Sequence, residues 1–133
     1  MQYIKVYLIS IVVFLLIDLV WLGIISKNLY KNYLGHLMAP SVNWTAALIF
    51  YLLFIAGLVF FVINPAIEKE SIIFAVVAGG FFGLITYATF DLTNLATIKD
   101  WPLSITIIDL IWGTILNAAT SGITYIVFQR LFR

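Results

Sequence analysis

Four long apolar runs, roughly 3–25, 44–64, 71–93 and 102–128, alternate with short stretches where charged residues, proline and asparagine collect. Each run meets the length of about 20 helical residues needed to cross a hydrocarbon core about 30 Å thick. Only a helix lets such a run satisfy its own backbone polar groups in lipid, so each is predicted to be a spanning helix. The first run has the position of a secretory signal. Its apolar part is too long for one, its basic flank is Lys5 alone, and no small-x-small cleavage site follows Ile25, so it is read as a mature helix. Asn64-Pro65 is expected to end the second helix, and the turn at 67–70 is short enough to make helices two and three antiparallel neighbours. Asp100 before Trp101-Pro102 has the form of an N-cap followed by a first-turn proline, opening the fourth helix. The expected fold is all-α: an antiparallel four-helix transmembrane bundle forming a single membrane domain over 1–133.

Between the first two runs, Leu29, Tyr33 and Leu37 recur at helical spacing opposite Lys27 and Lys31, which predicts an interfacial helical extension over 26–43. Lys5, Lys69, Arg130 and Arg133 flank one side of the bundle against Lys27, Lys31 and Lys99 on the other. The positive-inside rule therefore leans towards both termini in the cytoplasm. Tyr3, Tyr7 and Trp44 suit interfacial anchoring, and Trp21 is close enough to a helix end to do the same. Asn43-Trp44-Thr45 matches a glycosylation sequon but lies too near the membrane surface to weigh heavily.

Composition narrows the function classes. With 64% hydrophobic and 10% charged residues and a mean hydropathy of +1.13, the chain has far more apolar surface than a soluble domain can hide. A net charge of +1 without a basic run gives no footing for nucleic acid. The absence of cysteine and the single His36 remove disulfides, thiolate–metal sites and histidine-rich centres. No nucleotide loop, haem motif or H-E-x-x-H is present.

Against that background three carboxylates stand out. Asp18, Asp91 and Asp109 lie inside the first, third and fourth runs, and the nearest lysine is eight or more residues away in each case. Insertion scales assign about 2.5–3.5 kcal/mol to one aspartate at a helix centre, a cost that marks functional positions. At a rise of 1.5 Å per residue, Asp18 and Asp109 each lie roughly 10 Å from the same end of the bundle, with Asp91 at a similar or shallower level. Two carboxylates about 6 Å apart repel by roughly 3 kcal/mol at an effective dielectric near 20, so the three cannot all stay ionised and unpaired. A shared proton, a metal or organic cation, or a hydrogen-bonded network must compensate.

The phrases around them repeat. Ile17-Asp18-Leu19-Val20-Trp21 and Ile108-Asp109-Leu110-Ile111-Trp112 nearly coincide, and Phe90-Asp91-Leu92-Thr93-Asn94 is a looser version. The three-residue offset sets each Asp on one helix face with its Trp or Asn. On the third helix Gly79, Gly83, Thr86, Tyr87, Asp91 and Asn94 form one small-to-polar stripe; on the fourth, Asp109, Gly113, Asn117, Thr120 and Thr124 form another. Gly79 and Gly83 make a G-x-x-x-G, which allows close helix approach, while Ile107, Ile111, Ile115 and Ile126 suit lipid. Helix two, broken only by Tyr51 and Gly57, is expected to be a supporting wall.

The repeated I-D-L-[VI]-W phrase, F-D-L-T-N-L-A-T-I-K-D-W-P and L-N-A-A-T-S-G resemble the bacterial family known as domain of unknown function 2177, over essentially the whole chain. The resemblance implies a small polytopic protein of a bacterial inner membrane and no particular activity. It implies a polar signature at Asp18, Trp21, Asp91, Asn94, Asp109, Trp112 and Asn117, to which the stripe on the third helix adds Tyr87. The favoured expectation is binding or transport of a proton, metal or organic cation at the three aspartates, in a homo-oligomer. Two alternatives stand beside it: a membrane enzyme using carboxylate acid–base chemistry on a lipid or isoprenoid, and an accessory subunit whose Asp–Trp pairs merely hold helices together.

Overall fold

The computed structural model describes residues 2–26 and 28–132. Lys27 and Arg133, which entered the charge comparison above, lie outside the described residues. Four helices are long and apolar enough to cross a membrane: α1 (Gln2–Ile25), α3 (Trp44–Glu68), α4 (Ile72–Thr97) and α5 (Leu103–Phe132). The short α2 (Leu29–Leu34) lies between the first two and runs into a single 3-10 turn at Gly35–Leu37. No strand is present among the described residues.

Helix starts follow local side-chain chemistry. Asn43 caps α3 by accepting the Ala46 N–H at 3.1 Å, so the sequon asparagine does structural work at a helix end. Ser71 caps α4 in the same way, accepting from Phe74 N–H at 3.0 Å. The expected cap at Asp100 is not made. Asp100 occupies a left-handed turn (φ 63°), and α5 begins at Leu103, after the proline.

Pro65 does not end its helix either. The preceding turn, Val59–Ile63, widens to a π-helix, and α3 continues through Glu68. A proline inside a helix removes one N–H and crowds the carbonyl four residues back, and a widened turn accommodates both effects. The chain then reverses at Glu70, in a left-handed conformation (φ 52°).

α4 and α5 share the most extensive interface in the molecule. Glycine makes it possible: a Cβ on Gly83 would collide with the Gly113 carbonyl oxygen and the Asn117 side chain, and one on Gly79 would lie 2.8 Å from the Asn117 carbonyl. α1 packs along α5 and buries every fourth residue, Val6, Ser10, Phe14 and Asp18. The apolar core gathers Phe14, Ile55, Leu58, Ile63 and Leu116 from α1, α3 and α5. Ile107, Ile111, Ile115 and Ile126 are exposed, as expected of a lipid-facing side.

α3 meets α4 mainly through its second half, from Val59 onward, close to the turn that joins them. Its first half diverges, so the two helices form a fork that opens towards the α2 end. Phe54 packs edge-on against Phe82 at 5.5 Å and against Tyr87 at 6.5 Å inside this fork.

Candidate functional site

A cavity of about 570 Å³ occupies the fork, and all three membrane aspartates line it. Asp18 arrives as the last member of α1's buried stripe, Asp91 from α4 and Asp109 from the first third of α5. Tyr87, Trp21 and Trp112 line it too, together with Tyr30, Tyr51 and the rings of Phe50, Phe54 and Phe90. Phe50 and Phe90 are 55% and 57% exposed, which puts the mouth of the cavity on the flank between α3 and α4.

The hydrogen bonds differ from the expected Asp–Trp pairs within each helix. Asp18 accepts from the Tyr51 hydroxyl of α3 at 3.0 Å. Asp109 accepts from the Tyr30 hydroxyl of α2, which itself accepts the Trp21 indole N–H at 3.2 Å. Trp21 thus faces inward, and its ring stacks on Trp112 with centroids 4.4 Å apart and planes 9° from parallel. Each of these two carboxylates is thus met by a phenol from another helix rather than by the indole three residues along its own. Trp112, on α5, stands beside the Asp18 carboxyl of α1.

Asp91 is completely buried, and among the described residues neither of its carboxyl oxygens receives an N–H or O–H. Its neighbour is the Asp109 carboxyl. Two carboxyls bond to one another only when a proton lies between them. Tyr87 stands within electrostatic range of all three aspartates. No lysine, arginine or histidine among the described residues lines the cavity. Among the described residues no group of three or more His, Cys, Asp or Glu side chains is gathered as a metal ion would require.

Two expected site residues lie elsewhere. Asn117 is fully buried below the cavity, donating to the Gly113 carbonyl at 2.8 Å and filling the space that Gly83 leaves. Asn94 is half-buried past the rim, where its backbone carbonyl accepts from Ile98 N–H. Conversely, Tyr51 and Tyr30 escaped the sequence reading. Tyr51 was visible as the one hydroxyl inside an apolar run. Tyr30 was hidden because it lies outside the expected apolar face, yet it is half-buried along with Leu29 and Leu34 while Tyr33 and Leu37 are exposed. That burial, with Asp109 at its hydroxyl, pushes the Tyr30 phenol well above its ordinary ionisation range.

Comparison with known proteins gives one match. A family model described as "Predicted membrane protein (DUF2177)" covers residues 3–126. No curated protein and no solved structure shows significant similarity to the chain.

Proposed function

The chain belongs to the DUF2177 family of predicted membrane proteins, and from that premise we propose that its intramembrane cavity binds a lipophilic organic cation. The observation that carries the reading is Asp91: a carboxyl with no exposed surface, adjoining a second carboxyl, in a cavity where the described residues supply neither a donor to it nor a cationic side chain. Buried carboxylates need a compensating charge or proton, and the described residues that line the cavity supply no positive charge. The surrounding Trp, Tyr and Phe rings suit an organic cation better than a hydrated inorganic one, because π faces attract a diffuse positive charge and offer no oxygen ligands in exchange for water. A cavity of about 570 Å³ also lies within the common range for small-molecule sites. The mouth on the α3–α4 flank admits a ligand that partitions into lipid.

Tetraphenylphosphonium is a suitable probe, since Trp21 and Trp112 would report its arrival by fluorescence quenching. The purified protein is expected to bind it saturably, with affinity reduced at least tenfold, about 1.4 kcal/mol, in both Asp91→Asn and Asp109→Asn. Asp100→Asn, in the turn outside the cavity, should bind as the unaltered chain does. Equal affinity in all four proteins would end this reading and favour the helix-bracing role of an accessory subunit.

A further inference from the structure

The adjoining carboxyls of Asp91 and Asp109 have a consequence that rests on the cation reading: we infer that the pair exchanges a proton for the cation, releasing one proton for each cation bound. The titratable groups that line the cavity with the pair are Asp18 from α1, Tyr30 from α2, Tyr51 from α3 and Tyr87 from α4, of which Tyr30 contacts Asp109. Phenols and a further carboxyl offer no positive charge, and two adjoining carboxylates do not both stay ionised when nothing offsets them. A proton held between them supplies the hydrogen bond that Asp91 otherwise lacks. An organic cation entering beside the pair removes the reason to keep that proton.

The exchange balances. The carboxyl O–H bond breaks, its electron pair stays on the carboxylate oxygen, and the proton passes to water. The cavity gains one positive charge as the cation and loses one as the proton, so its net charge is unchanged. An exit for the proton is also at hand. The Tyr30 hydroxyl contacts Asp109, and Tyr30 separates the cavity from a second hollow of about 520 Å³ beside Ser26, Lys31 and Gly35 on the α2 side. Tyr30, with its hydroxyl bonded to the Asp109 carboxyl and its side chain lining both hollows, is placed to pass the proton outward.

Calorimetric titration of the protein in lipid nanodiscs with tetraphenylphosphonium, repeated in two buffers of different ionisation enthalpy, counts the protons. The unaltered chain is expected to release about one proton per cation near neutral pH, with affinity strengthening about tenfold per unit rise in pH. Asp91→Asn, whose amide cannot share a proton in this way, should bind more weakly and release none. Saturable binding without proton release in the unaltered chain would overturn the exchange and leave the cation site standing. Absence of binding would overturn both.

Discussion

Replacing Tyr30 with phenylalanine removes one oxygen atom and leaves Asp109 facing a ring instead of a donor. Losing a hydrogen bond to a charged group at a part-buried site should lower stability by about 1–3 kcal/mol, measurable as a shift in a detergent-unfolding midpoint. The same residue predicts a pH effect. Burial first, then the Asp109 bond, raises the phenol's ionisation in the folded state, so the folded protein holds this proton where the unfolded chain, near pH 10, gives it up. Its contribution should be intact below about pH 10 and decline as pH rises further, a decline that Tyr30→Phe should reduce. At this scale the sequence told half the story. Asp18, Asp91 and Asp109 were conspicuous because charge in an apolar run is costly. Tyr30 and Tyr51 were not, since tyrosine is ordinary in membrane helices and their partners lie 79 and 33 residues away. Asn117 resembled a ligand residue from its place on the stripe, but packing against Gly83 gives it a structural task.

Between elements, glycine position decides how closely the helices approach. Gly83→Ala would drive a methyl into the Gly113 carbonyl and Asn117, and overpacking of this kind costs about 1–3 kcal/mol. Gly57→Ala should be neutral or stabilising by up to about 1 kcal/mol, because its Cβ would meet Phe82 at an ordinary 3.6 Å and alanine is the better helix former. Unfolding free energies of the two variants check the contrast; equal effects would refute the packing account. The spanning helices themselves were legible from apolar run length, which the bilayer imposes directly. Their ends were less so. Pro65 reads as a terminator, yet the π-turn at Val59–Ile63 absorbs it and extends α3 to Glu68. Asp100 reads as a cap, yet its left-handed backbone sets it outside the helix. Both outcomes depend on backbone geometry that residue types alone do not encode.

For the molecule as a whole, the fork between α3 and α4 turns a set of packed helices into one with a cavity. Near the connecting turn the two helices are held together by a short link and by the Val59–Ile63 segment. Further along they part, and the space between them collects side chains from five helices. Residue counts led to the expectation that Asp18 and Asp109 lie at one level, and both line the cavity, but the fork could not be read in this way, because divergence arises from which halves of the helices touch. Crystals of the protein soaked with tetraphenylarsonium provide the most direct measurement, since arsenic scatters anomalously and marks the cation's position. An anomalous peak between the Asp91–Asp109 pair and the Trp21–Trp112 stack is expected, and it should vanish in Asp91→Asn crystals. Arsenic found only at the outer surface, with an acyl chain filling the cavity, would contradict the account.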